Sequence, residues 1–181
     1  MCNDLDGRCY RVAPKDIANA RKSSDMIAKI NLFCVEFLRR LRAKYLFNKQ
    51  GTPEQRSIIK FLMDNYDPHT FIEHTPMDGT NNSYVKNKGD EFGVCIREKR
   101  SGRDNLHDFN TIQFVVIHEL SHLSARGIGH GTEFYRNFKM LLKDAHSFGL
   151  YTPINYRKTP TDYCQIMLED NPYFDDNIPG F

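Results

Sequence analysis

Apolar residues recur along the chain in two rhythms. Met26, Ile27, Ile30, Phe33, Cys34, Phe37, Leu38, Leu41 and Tyr45 follow one another at helical spacing, which places them on one face of a helix. Ser23-Ser24-Asp25 supplies capping oxygens ahead of that run, so a helix is expected from there to about Asn48. Gly51-Thr52-Pro53-Glu54 ends it and opens a second helix, about Pro53 to Asn65, with Ile58, Ile59, Leu62 and Met63 inward. The rhythm then changes. From Asp67 to Gly102, turn formers (Asp67-Pro68, Thr75-Pro76, Asp78-Gly79, Asn81-Asn82) separate short β-like pieces, notably Ser83-Tyr84-Val85 and Phe92 to Arg97. A small antiparallel sheet is the expectation, with Phe92–Arg97 as its edge strand. Asp108 or Asn110 can cap a strongly apolar helix running to about Ala125, and Gly127-Ile128-Gly129 breaks it. A last helix begins near Gly131-Thr132-Glu133 and ends near Gly149, with Phe134, Phe138, Leu141, Leu142 and Ala145 on one face.

Residues 1–22 read as a lead-in with a turn at Asp6-Gly7, and residues 150–181 as an extended C-terminal tail. Helices, a short sheet and more helices, in that order, predict an α+β domain spanning 1–181 rather than a doubly wound sheet.

A length of 181 residues suits one domain with a sizeable core. Apolar residues at 40% and charged residues at 27% exclude wholesale disorder. The charges nearly balance, 25 Lys and Arg against 23 Asp and Glu, so the sum neither demands nor excludes nucleic acid. Lys29, Arg39, Arg40, Arg42 and Lys44 could combine with Arg97, Lys99, Arg100 and Arg103 into a basic surface. Acids are interspersed elsewhere, so at most weak, salt-sensitive nucleic-acid binding is expected. No apolar run approaches the ~20 residues of a membrane helix, and no signal peptide is visible. Cys2, Cys9, Cys34, Cys95 and Cys164 are scattered, odd in number and without a CxxC pair. Free thiols in a reducing, intracellular compartment are therefore expected.

One motif carries chemistry. His118-Glu119-Leu120-Ser121-His122 fits HExxH. Histidines four apart on a helix project from the same face, so both can reach one ion. Glu119 stands one step around, where a base acting on metal-bound water belongs. His130 follows within Gly127-Ile128-Gly129-His130-Gly131; two glycines let the chain reverse, and a third histidine would complete the three protein ligands of a catalytic zinc. Glu133 is left as a helix cap or an acceptor behind a ligand. His69, His74, His107 and His146 lack ligand spacing and read as ordinary surface or turn residues. Tyr151, Tyr156, Arg157 and Tyr163 are candidate oxyanion donors.

The stretch from His118 to His122, continued by Gly129-His130-Gly131-Thr132-Glu133-Phe134, resembles the metal-binding core of WLM and SprT-like zinc metallopeptidases. The run from about Asn105 to Cys164 is also similar to WLM-like proteins of large DNA viruses. The resemblance implies a compact zincin-like fold with one catalytic Zn2+ on His118, His122 and His130. It further implies that Glu119 is the general base and that the substrate is a protein or peptide. Members acting on DNA-bound proteins usually carry extra DNA- or partner-binding segments, and none is recognisable here. The rival reading is a zincin scaffold that binds without turnover; an intact Glu119 favours the enzyme.

Overall fold

The computed structural model describes residues 1–13, 17–76, 82–98 and 105–181. Among them, four helices and five short strands build an α+β domain: α1 (Ile17–Leu41), α2 (Pro53–Asn65), β1 (Phe71–Glu73), β2 (Tyr84–Lys86), β3 (Glu91–Val94), α3 (Phe109–Ser124), α4 (Thr132–Ser147), β4 (Thr161–Tyr163) and β5 (Ile166–Leu168). No helix of these is long and apolar enough to cross a membrane. The expected turns at Asp78-Gly79 and Asn81, and Lys99, Arg100, Gly102 and Arg103, lie outside the described residues.

Helix α1 starts earlier than its capping signal implied. Ser23 and Ser24 do not cap it; both are buried inside it. The Asn3 amide donates to Ser24 Oγ at 3.1 Å and to Asp25 Oδ1 at 2.6 Å, so these polar side chains pin the lead-in to the helix. A π-helical turn over Arg42–Phe47 follows. Its extra residue turns Tyr45 inward, where the phenol donates to Asp144 Oδ2 at 2.6 Å while Lys44 Nζ reaches Oδ1 at 2.5 Å. Helix α2 begins as expected, on a reciprocal cap between Thr52 and Gln55 with Pro53 in the first turn. Asp108, not Asn110, caps α3 by accepting the Thr111 N–H at 3.2 Å.

The three-stranded sheet is mixed, not antiparallel: its order is β1-β3-β2, with β1 parallel and β2 antiparallel to β3. The chain leaves β1, passes beyond β3 and returns through the β2–β3 hairpin. Strand β3 therefore lies in the centre and β2 at an edge, which corrects the edge role expected for Phe92–Arg97. The burial of Phe92, Gly93 and Val94 on both faces agrees with a central strand. Phe71 and Phe92 stack at 4.4 Å across the parallel pair. In the tail, β4 and β5 form a second hairpin whose turn places Cys164 and Gln165 at φ 44° and 73°.

Two cysteine pairs are disulfide-bonded, Cys2–Cys9 and Cys95–Cys164, and Cys34 is a buried free thiol. This overturns the expectation of free thiols throughout. Cys2 and Cys9 face each other across the lead-in hairpin. Cys95 and Cys164 are 69 residues apart in sequence but 6.4 Å apart at Cα, a proximity created by topology and invisible in spacing. Several basic residues of α1 and of the π-helical turn after it have partners. Arg39 and Arg40 pair with Glu36, Lys44 with Asp144, and Arg42 lies over the Phe47 ring.

A buried ion pair ties the lead-in, α1 and sheet together. Arg97 Nε meets Glu73 Oε1 at 2.9 Å; Glu73 Oε2 accepts the Ala13 N–H at 2.8 Å, and Arg97 also reaches Asn19 O and Ser23 Oγ. Removing one member of such a pair strands a charge in a low dielectric. Glu73→Ala should therefore cost about 3–5 kcal/mol of unfolding free energy, with Glu73→Gln costing less because an amide oxygen still accepts from Ala13. Urea denaturation checks this; a Glu73→Ala protein as stable as wild type would show the pair to be idle.

Candidate metal centre

Helix α3 is apolar on nearly every side, with Ile112, Val116, Ile117 and Leu120 fully buried, and the functional side chains sit at its C-terminal end. His118 and His122 lie one turn apart, their ring centroids 5.0 Å from each other. The helix stops at Ser124, and Gly129 (φ 83°) turns the chain back so that His130 faces the pair. Of the two glycines expected to allow this reversal, only Gly129 adopts a left-handed conformation.

Two clamps hold the loop in place. Glu133, in the first turn of α4, accepts the Arg126 N–H at 2.7 Å and the Gly127 N–H at 3.2 Å. Lys88, on the β2–β3 turn, donates to the carbonyls of His122, Ala125 and Gly127 at 2.8, 2.5 and 3.0 Å. Its ammonium thus closes the last turn of α3, satisfying carbonyls that a helix end leaves orphaned.

His130 Nε2 lies 3.1 Å from both His118 Nε2 and His122 Nε2. Three imidazole nitrogens on a tetrahedral zinc, with bonds of ~2.0–2.1 Å, stand roughly 3.3 Å apart, so the donor set fits one zinc ion. The three histidines line a cavity. Phe134 packs against all three rings at centroid distances of 4.9, 4.4 and 4.8 Å, with Phe138 behind His118 at 5.3 Å. Burial, and then the neighbouring imidazoles, push His118 down to about 3 and His122 to about 4. Both are neutral near pH 7, the form that ligates a metal.

Glu119 is buried, and its carboxyl borders the same cavity of about 550 Å³. Desolvation raises its pKa to about 8, opposed in part by a hydrogen bond from the Val85 backbone. Strand β2 runs along the opposite wall, where Ser83, Tyr84 and Val85 line the cavity, and Ile128 stands fully exposed on the loop at its rim.

The four motif residues therefore converge, but the expected oxyanion donors do not. Tyr151 accepts from the Asn171 amide, Tyr156 is buried against Phe114, and Arg157 pairs with Asp170 at the surface. Tyr163 donates to Cys95 O at 2.6 Å and shares a hydrogen bond with Ser83 Oγ. None of the four lines the cavity. His146 is engaged with Tyr173 OH at 2.8 Å. His107, expected at the surface, is buried beside Cys164. Lys88 and the β2 wall escaped the sequence reading; the local signal was the turn-forming run Asn87-Lys88-Gly89-Asp90, which marks a hairpin but not its contact with α3.

No protein-family model matches the chain, and no solved structure matches it. It is 30% identical over 118 residues to an uncharacterized protein of Acanthamoeba polyphaga mimivirus, covering 65% of this chain and 58% of that one. It is 42% identical over 69 residues to an uncharacterized protein of Invertebrate iridescent virus 6, or 38% of each chain. An uncharacterized protein of Invertebrate iridescent virus 3 is 42% identical over 84 residues, 46% of this chain and 50% of the other. These relatives are viral proteins, and the chain spans about half the length of the relatives it matches.

Lys88→Met removes the charged cap while keeping most of the side-chain volume. Were the three imidazoles to hold zinc, loosening the loop that carries His130 should weaken zinc binding in a chelator competition. Unchanged affinity would show that the loop holds His130 without Lys88.

Proposed function

We propose that this protein is a zinc-dependent metalloendopeptidase with a compact zincin-like fold. The observation that carries the reading is the convergence of His118, His122 and His130 at 3.1 Å, with Glu119 beside them on the cavity wall. Zinc bound there would acidify a water and polarise a peptide carbonyl.

The chain's own residues supply the rest. Glu119 is placed to take the proton of the attacking water and deliver it to the leaving amine. Its apolar surroundings raise its proton affinity, which suits a group that must both accept and release a proton near neutral pH. Strand β2 pairs with β3 on one side, and its other edge lies along the cavity. An extended peptide laid along that wall, where the Val85 N–H is held by Glu119, would present a carbonyl to the site.

Glu119→Gln should abolish digestion of casein or a peptide library while leaving zinc stoichiometric and the fold intact. Loss of a general base typically costs at least ~10²–10⁴-fold. Wild-type turnover in that variant would sink the mechanism. Wild-type protein loaded with zinc that cleaves nothing would instead favour a binding scaffold.

The ligand assignment has its own check, elemental analysis of three variants. His130→Ala should lose zinc, whereas His146→Ala should retain it because His146 is committed to Tyr173. Glu133→Ala should keep zinc with reduced affinity, since Glu133 holds the loop and not the ion. Stoichiometric zinc at unchanged affinity in His130→Ala would overturn the assignment.

A further inference from the structure

A second cluster of ligating atoms lies away from the HExxH helix. Cys95 follows β3, His107 precedes α3, and Cys164 sits in the β4–β5 turn. All three are buried, and their ligand atoms lie within 4.8 Å of one another. Cys164 Sγ is 3.3 Å from His107 Nε2, which also accepts the Cys164 N–H at 3.1 Å. That bond fixes the tautomer, leaving the Nε2 lone pair directed at the Cys164 backbone and sulfur. The left-handed backbone of Cys164 turns this side chain inward.

We propose that Cys95, His107 and Cys164 form a second, redox-gated zinc site, closed as a disulfide under oxidising conditions and metal-binding once reduced. Two thiolates and an imidazole are the soft N/S set that selects zinc, with water in the fourth position. Zn–S bonds of ~2.3 Å at a tetrahedral angle place two sulfurs roughly 3.8 Å apart. A Cα separation of 6.4 Å accommodates that spacing by side-chain rotation without moving the backbone.

The electrons and protons balance with a thiol reductant. Two electrons and two protons open the Cys95–Cys164 bond to two thiols, and the reductant leaves as its own disulfide. Zinc then displaces both thiol protons to solvent. The His107 lone pair moves to the ion, and the Cys164 N–H is left to donate to a coordinating sulfur. Either form ties the same three segments together. The site thus lets the tail stay fastened to the sheet in a reducing compartment as well as an oxidising one.

The experiment is a Co2+ titration of the full chain carrying His118→Ala and His122→Ala, anaerobic and reduced by a phosphine. One equivalent should bind with a near-ultraviolet thiolate-to-cobalt charge-transfer band. That band should vanish in added Cys95→Ser or His107→Ala, survive Cys2→Ser with Cys9→Ser, and be absent before reduction. If the background does not fold, native mass spectrometry of the wild-type chain serves: the reduced form should hold one more zinc than the oxidised form, whatever the HExxH site holds. Three outcomes would overturn the proposal: no charge-transfer band once thiol titration shows the bond open, equal zinc in both forms, or a disulfide that the phosphine cannot open in the native chain.

Discussion

Everything in this fold follows from covering helix α3. Its sequence is so apolar that Ile112, Val116, Ile117 and Leu120 must all be removed from water, which needs neighbours on nearly every side. Helices α2 and α4 and strand β2 pack against it, and α1 adds a smaller contact. Uncovered polar groups in such a place would be costly. The gap in this cover is where His118, Glu119 and His122 emerge, and there the chain itself folds back to bring His130 opposite. The site is thus a deliberate break in an otherwise complete apolar jacket. The depressed basicity of the two helix histidines and the raised proton affinity of Glu119 share one cause, the dryness of the packing around them.

Local patterns were legible in the sequence, and long-range ones were not. Helices α2, α3 and α4 could be read to within a residue or two because Thr52, Asp108 and the break at Gly127–Gly129 are local signals. The start of α1 was missed because Ser23 and Ser24 are helix-interior residues whose hydroxyls serve distant partners, Arg97 and Asn3. Strand order followed the same rule. Phe92–Val94 reads as a strand from its residues alone, but whether it is central or an edge depends on where β1 and β2 come to lie. The HExxH pair was readable for the same reason as the caps, since four residues on a helix determine geometry. Lys88, the Cys95–Cys164 bond and the burial of His107 required topology, and nothing at those positions announces it.

The cavity wall opposite the histidines is anchored at both ends, and this bears on how the site keeps its shape. At one end the turn after β2 sends Lys88 to the carbonyls of α3, while Gly89 at φ 121° packs so closely on Asn65 O that a Cβ would stand 2.1 Å from it. At the other end Ser83 accepts the Cys95 N–H and shares a hydrogen bond with Tyr163, which in turn donates to Cys95 O. The tail that delivers Tyr163 is itself strapped along α4. Lys139 reaches the carbonyls of Asp175 and Ile178, Arg136 reaches that of Gly180, and His146 meets Tyr173.

These contacts form one mechanical circuit: α4 holds the tail, the tail holds Tyr163, Tyr163 and Cys95 hold Ser83, and Lys88 ties the far end of β2 back to helix α3. A groove between a helix and a three-residue edge strand would otherwise widen readily, because so short a strand contributes few ladder bonds of its own. Anchoring both ends fixes the separation between the strand edge and the histidine nitrogens before any ligand arrives. Preorganisation of that kind counts most where a reacting group must be positioned to within a fraction of an ångström. The C-terminal tail is therefore better understood as the outer wall of the site than as a surface appendage, although it contributes no side chain to the cavity.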